Sequence, residues 1–179
     1  KEHIFRPLNL KNSAIEYPLP KEIASRFISG HDNDGNPSDD DGLHPNALAQ
    51  GGWMTNQHDM AVFGIDLMKA IAGKDAKLLS NKMAENITHT ERYLKYDFQG
   101  GIKQQGLGCF LLGQGDDKYF FHHGHNFPPG ANAMIICHPK TGKGLVVMTN
   151  GNLGLYFALQ LVPAVAVVYG WPDVKNQFN

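Results

Sequence analysis

The residues best suited to chemistry lie together in the stretch His122-His123-Gly124-His125-Asn126, directly after the apolar residues 119–121. Imidazole can give or accept a proton near neutral pH, and it is also a metal ligand. A polar cluster at the end of a buried strand therefore indicates a functional site at 122–126. The sequence offers no obvious nucleophile to accompany this cluster.

Metal binding is one alternative for the three histidines. In a strand, residues 122 and 124 point to one face and residues 123 and 125 to the other, so the three imidazoles converge only if the strand ends at once. Carboxylates and thiols are missing from the neighbouring sequence. We therefore predict no metal and no cofactor. A structural role, with one histidine buried and two in solvent, stays open.

Two other groups of residues are weaker candidates for a functional site. The acidic stretch 32–42 has the composition of a calcium loop, but Pro37 stands where such a loop needs glycine and Leu43 where it needs glutamate. This stretch predicts a solvated acidic loop. Cys109 and Cys137 lie far apart in apolar surroundings, which predicts buried structural thiols.

Bulk properties limit the class of protein. A chain of 179 residues with 42% hydrophobic content predicts one domain with a single core. Sixteen basic and seventeen acidic residues leave a formal charge of -1, and no long basic run is present. Nucleic acid and anionic membranes are therefore not expected as partners, whereas a small molecule or a protein surface is.

Residues 1–105 predict mainly helices and loops. Residues 1–10 are typical of the end of a helix, and 26–31 of a strand. Asn56 is the predicted N-cap of a core-facing helix that ends at Gly73, with apolar residues at helical spacing. Ser80 is predicted to cap a second helix to about residue 88, and 91–105 is predicted to be a long connection.

From residue 106 the apolar pattern becomes extended. It predicts four antiparallel strands and a closing helix over 153–169. This helix is shorter than the roughly 20 residues of a membrane span and contains Gln160 and Pro163, so no transmembrane segment is predicted. Its apolar surface on nearly all sides predicts contacts beyond the sheet. The four strands are predicted at 107–112, 118–122, 132–137 and 144–149.

Several segments resemble those of one enzyme family, the serine hydrolases of the penicillin-binding and class C β-lactamase type. This family includes D-alanyl-D-alanine carboxypeptidase-like enzymes and related esterases. Residues 4–13 resemble its "IFxPLGMxxT" segment, and 51–60 are similar to "GGLxST…DL". Residues 139–150 are similar to "PxTGxGxVVMTN", and 169–172 to its end. The matches follow the family's order over nearly the whole chain.

The resemblance implies an α/β (α+β) fold, with helices packed on an antiparallel sheet. It also implies a Ser-x-x-Lys nucleophile and a Tyr-x-Asn element, and neither is present. The five serines lack a lysine three residues on. Because both motifs precede the "IFxPLGM" segment in the family, we expect this chain to be the C-terminal portion of a single domain, with the missing N-terminal half as its partner.

The third family element, Lys-Thr-Gly or His-x-Gly, has two candidates. Residues 140–142 spell Lys-Thr-Gly, yet their composition is that of a turn between strands. We therefore assign the element to His122-His123-Gly124. The resemblance then implies that Gly124 lets the backbone approach an acyl group, that the His125 amide helps hold an oxyanion, and that Asn126 belongs to the site. His122 is the predicted catalytic residue of this chain.

The bulky His125 and the residues Pro128-Pro129 depart from the family pattern. The expected activity is acyl-enzyme hydrolysis of a β-lactam, a D-Ala-D-Ala-type peptide or an ester. The alternative is a ligand-binding or interaction module that kept the scaffold without the chemistry. Family resemblance also implies a bacterial protein that is periplasmic or secreted.

Overall fold

The computed structural model describes residues 1–39, 43, 45–89, 92–98, 102–115, 117–126 and 130–172. These residues form two compact groups. The first comprises Lys1–Val62, His123–Met134 and Val146–Ala158, and the second contains the remaining described residues. The elements of the fold are continuous along the chain, and several contribute residues to both groups. Of the loops discussed above, residues 40–42 and 127–129 lie outside the described residues.

Local capping signals determine the two middle helices. The predicted N-cap Asn56 accepts a hydrogen bond from the Asp59 amide at 2.9 Å, and Gly73, with φ +66°, follows the helix. The hydroxyl of Ser80 accepts from the Met83 amide at 3.4 Å. Both predicted helices are therefore confirmed. The α-helices are α1 Phe5–Leu8, α2 Lys21–Ala24, α3 Leu48–Gly51, α4 Gln57–Ile71, α5 Asn81–Thr88 and α6 Gly154–Val168.

The strands form a six-stranded sheet in which each strand neighbours the next along the chain. Strands β1 to β4 pair antiparallel. The predicted antiparallel sheet with helices is confirmed, including the four strands expected after residue 106. The strands are β1 Arg92–Phe98, β2 Ile102–Gln105, β3 Phe110–Leu112, β4 Tyr119–Asn126, β5 Ala131–His138 and β6 Lys143–Thr149.

Two sequence predictions are wrong. Residues 91–105 are not a long connection, since β1 and β2 occupy 92–98 and 102–105 as an antiparallel pair, so the sheet begins before residue 106. The charged residues of β1 and the glycines at 100, 101 and 106 gave this stretch the composition of a connection. Residues 26–31 form no strand among the described elements. Only His31 makes isolated bridges, to Pro37 and Gly151.

The second group has a core in which α4 meets the sheet. Both cysteines lie in this core or its edge and are buried, as predicted. Gly64 permits a close approach, because a β-carbon there would stand 2.7 Å from a methyl carbon of Ile135. The buried core residues are Leu67, Met68, Cys109, Leu111, Phe120 and Cys137.

Helix α6 confirms the predicted closing helix and runs through Pro163. Leu155, Ala158, Val162 and Ala166 form its buried stripe, at helical spacing. Its other side is apolar but exposed. None of the described helices is both long and apolar enough to cross a membrane. The exposed apolar residues on α6 and its flanks are Leu153, Tyr156, Phe157, Val167, Val168 and Tyr169.

Candidate functional site

Strand β4 changes its environment half-way along. Residues 119–121 are fully buried, and they pair with β3, Phe110 opposite Phe121 and Leu112 opposite Tyr119. The strand then continues to Asn126 with exposed or half-buried residues. The polar stretch 122–126 is therefore an extended backbone that leaves the core.

The side chains of this stretch alternate. Residues 122, 124 and 126 share one face of the strand, and residues 123 and 125 share the other. His122 is exposed and stacks on Phe110, with ring centroids 5.9 Å apart. Gly124 is exposed, and no described atom lies within 4 Å of the position that a β-carbon would take. The described residues therefore leave the position beside Gly124 open.

The remaining predicted residues have distinct surroundings. The His125 side chain is exposed and its Nδ1 hydrogen bonds to Asn132 Oδ1, while Asn126 is half-buried. His123 is half-buried as well. The structural interpretation with one buried histidine does not describe this strand, since none of the three is buried. Among the described residues, no three histidine, cysteine or carboxylate side chains cluster as metal ligands.

The literal Lys-Thr-Gly of residues 140–142 is the turn between β5 and β6, as predicted. Lys140 Nζ forms an ion pair with Asp117, at 3.0 Å from Oδ1, and the Thr141 hydroxyl hydrogen bonds to His138 Nδ1 at 2.9 Å. Gly142 has φ +68°, in the left-handed region. These residues hold a hairpin together and do not form a strand wall.

The acidic stretch also has a structural explanation where it is described. Asp32 accepts hydrogen bonds from the amides of Asp34 and Asn36, and its other oxygen accepts from the Asn36 side chain. Asp32 thus closes a local turn. The exposure of residues 32–37 agrees with the prediction of a solvated acidic loop.

The family model described as Beta-lactamase matches residues 1–167. The chain belongs to the β-lactamase family. A search of curated proteins found no match to this chain.

Solved structures show the β-lactamase fold at low sequence identity. The octameric penicillin-binding protein homologue from Pyrococcus abyssi is 19% identical, with a TM-score of 0.65 over 94% of this chain and 36% of its own. The D-amino acid amidase from Ochrobactrum anthropi is 20% identical, with a TM-score of 0.61 over 84% of this chain and 42% of its own. A class C β-lactamase in complex with cefoxitin is 16% identical, with a TM-score of 0.64 and coverages of 85% and 47%. This chain therefore spans less than half the length of these structures.

Two polar groups of this β-lactamase-family chain were missed in the sequence. Asn132 is buried at the start of β5 and holds the His125 side chain. Asp59 is buried in the first turn of α4 and accepts hydrogen bonds from the Asn12 amide at 2.8 Å and the Ser13 hydroxyl at 2.9 Å. An asparagine inside a predicted apolar strand was the available signal for Asn132. For Asp59 the available signal was its position three residues after the N-cap Asn56, in the first turn of the helix.

Proposed function

We propose that the whole protein is a serine hydrolase that acts through an acyl-enzyme, and that these 179 residues supply one wall of its cleft. The observation that carries the proposal is the emergence of β4 from the core at residues 122–126, in a chain of the β-lactamase family. A β-lactam, a D-Ala-D-Ala-type peptide or an ester are the proposed substrates. Each has a carbonyl that a serine can attack.

In this proposal β4 binds the acyl group through its backbone. The space beside Gly124 admits the substrate, and the His125 amide donates to the oxygen that becomes negative when the serine attacks. His122 and Asn126 share the Gly124 face, so they are the side chains proposed to contact substrate. His122 would act as a donor, or as a cation when protonated, toward the tetrahedral intermediate or a substrate carboxylate.

The nucleophile is proposed to lie outside this chain, because none of its serines belongs to a Ser-x-x-Lys motif. Its oxygen forms a bond to the carbonyl carbon, the amide or ester bond breaks, and the leaving group takes the hydroxyl proton. Water then hydrolyses the acyl-serine ester. No cofactor is part of the proposal.

The partner of this chain is proposed to be the remainder of the same β-lactamase fold. Two observations support it. This chain covers less than half the length of its structural neighbours, and α6 has an apolar side on which Tyr156 and Phe157 are exposed to solvent. An exposed apolar face of this kind marks an interface. By family resemblance we further propose a periplasmic or secreted protein.

The direct test is labelling with a fluorescent penicillin and hydrolysis of an activated ester. We expect the 179-residue chain to remain unlabelled. Protein extended by the residues encoded upstream, with Ser-x-x-Lys and Tyr-x-Asn in frame, is expected to be labelled. Labelling of the chain by itself would contradict the proposal that the nucleophile lies elsewhere.

A matched pair of variants in the extended protein tests the role of β4. Gly124→Ala and Gly51→Ala each add a methyl group where no described atom lies within 4 Å. We expect Gly124→Ala to slow acylation about ten-fold or more while Gly51→Ala does not, because small displacements of a reacting group are costly. Equal acylation rates in the two variants would contradict the proposal that β4 lines the cleft.

A non-catalytic module is the second candidate, favoured by the absence of both motifs from these 179 residues. It predicts reversible binding of the penicillin probe to the extended protein, with no covalent label. Upstream sequence without Ser-x-x-Lys would favour this candidate.

A further inference from the structure

Asn132 connects the end of β4 to two other segments. Its Nδ2 donates to Gly130 O at 2.9 Å and to Gly151 O at 2.8 Å, and it lies 3.2 Å from Thr149 Oγ1. Its Oδ1 faces His125 Nδ1. The Asn132 side chain is buried, so it depends on these partners to satisfy its hydrogen-bonding groups.

The neighbours of Asn132 determine which way its amide points. Two carbonyl oxygens can only accept hydrogen bonds, so the atom that faces them must be the NH2 group. The amide oxygen must then face His125. Because this oxygen accepts, His125 Nδ1 must carry a proton, and in the neutral ring Nε2 is the unprotonated nitrogen. The contacts of one buried asparagine thus select one tautomer of an exposed histidine.

This contact also holds the strand backbone. His125 and Asn132 lie on neighbouring strands, and Gly130 N donates to Asn126 O at 2.8 Å just beside them. The His125 side chain lies on the face opposite Gly124, so it can hold the strand without entering the space beside Gly124.

We infer that Asn132 is a positioning residue that acts through His125, fixing the ring as the Nδ1–H tautomer and holding the end of β4 in place. The consequence for catalysis rests on the proposed function, in which the His125 amide helps bind the oxyanion. The tautomer and the local order of β4 do not depend on that function.

The first experiment measures the tautomer in the 179-residue chain. Two-bond proton–nitrogen correlation spectra at pH 8 distinguish the two ring nitrogens, and the His125 signals are identified by their loss in His125→Asn. We expect Nδ1 protonated and Nε2 unprotonated. The opposite pattern would overturn the inference.

The second experiment measures hydrogen exchange of the Gly130 amide. His125→Phe removes the donor to Asn132, whereas His125→Asn offers an amide N–H in a place similar to that of Nδ1. We expect exchange to rise roughly five- to ten-fold in His125→Phe and to stay near wild type in His125→Asn. The Ala14 amide, which donates to Met54 O, is expected to be unchanged in both. Unchanged exchange at Gly130 in His125→Phe would refute the positioning role.

Variants of the partners complete the design. Thr149→Val removes one contact of Asn132 without touching His125, so the tautomer is expected to persist. In Asn132→Ala, His125 is expected to lose its preference for the Nδ1–H tautomer. Since His125 is exposed, its two variants keep the inference testable if Asn132→Ala does not fold. In the extended protein we expect His125→Phe to lower kcat with little change in KM, since oxyanion binding is made in the transition state. If the wild-type extended protein is not acylated, the proposed function is refuted, whereas the measurement of the His125 tautomer is unaffected.

Discussion

Replacing Asp59 by asparagine tests whether a single buried carboxylate joins the N-terminal segment to α4. Asp59 is 2% exposed, and its Oδ2 accepts from both the Asn12 amide and the Ser13 hydroxyl. Ser13 also hydrogen bonds to Thr55 at 2.8 Å. Asparagine has nearly the same shape and can keep an oxygen in this place. The substitution therefore removes the charge and leaves the packing.

The expected cost follows from the two strong bonds. A hydrogen bond to a charged group contributes about 1.5–3 kcal/mol, and a neutral acceptor makes it roughly half as strong. With two such bonds, Asp59→Asn should lower the free energy of unfolding by about 1.5–3 kcal/mol. The total free energy of unfolding of a domain is about 5–15 kcal/mol, so a loss of this size is large enough to measure.

The pH dependence gives an independent check. Burial acts to raise the pKa of Asp59, but the hydrogen bonds from Asn12 and Ser13 outweigh it and hold the pKa below its usual range. The ionised group therefore stabilises the folded state fully above about pH 4, and this contribution is lost as pH falls toward the lower folded value. The difference between wild type and Asp59→Asn should shrink in that window.

Urea unfolding at pH 7 and at pH 3.5 measures both effects. Asp34→Asn makes the same chemical change at an exposed carboxylate and should stay within about 0.5 kcal/mol of wild type. The reasoning fails if Asp59→Asn is no more destabilising than Asp34→Asn at pH 7. It also fails if the difference from wild type stays constant as the solution is acidified.

Three further predictions concern buried groups. Burial lowers the pKa of His138, against the opposing effect of a nearby carboxylate. The melting temperature should therefore fall as the pH drops below about 6.5, because the unfolded chain then binds the proton more readily than the folded protein does. In His138→Phe the fall in melting temperature that is due to this histidine should vanish. Burial raises the pKa of Cys109 to about 11 and of Cys137 to about 12. A thiol reagent at pH 8 should therefore react slowly with the folded protein and rapidly with the protein unfolded in urea. Fast reaction with the folded protein would disprove the burial of these thiols. Gly154→Ala would place a methyl group 1.6 Å from a threonine hydroxyl oxygen. It should lower the free energy of unfolding, measured in urea, by about 1–3 kcal/mol or more. Gly51→Ala is the control, because no described atom lies within 4 Å of the added methyl group.

The two middle helices, the closing helix and strands β3 to β6 could be predicted because their signals are local. Asn56, Ser80 and Gly73 are each within a few residues of the helix end that they determine. Strands β3 to β6 follow from apolar runs such as 119–121. The β1–β2 pair escaped prediction because its charged residues and the flanking glycines carry the composition of a connection.

The polar contacts could not be predicted because they join distant residues. Asp59 and its partner Asn12 are 47 positions apart, and Asn132 meets Gly151 across 19. Composition and spacing identify a carboxylate at a helix start or an asparagine in a strand. They do not identify which amide or hydroxyl will reach it, since that depends on the packing of the whole domain.

The choice between the two Lys-Thr-Gly-like stretches shows why a motif needs its structural context. A residue that lines a cleft through its backbone must be extended, and the glycine of 140–142 has φ +68°, which a strand does not permit. His122-His123-Gly124 lies within β4, at the point where the strand leaves the core. The less literal match is therefore the one with the extended backbone that the proposed cleft wall requires. For the proposed site, burial and backbone conformation favour the candidate that residue identity alone would rank second.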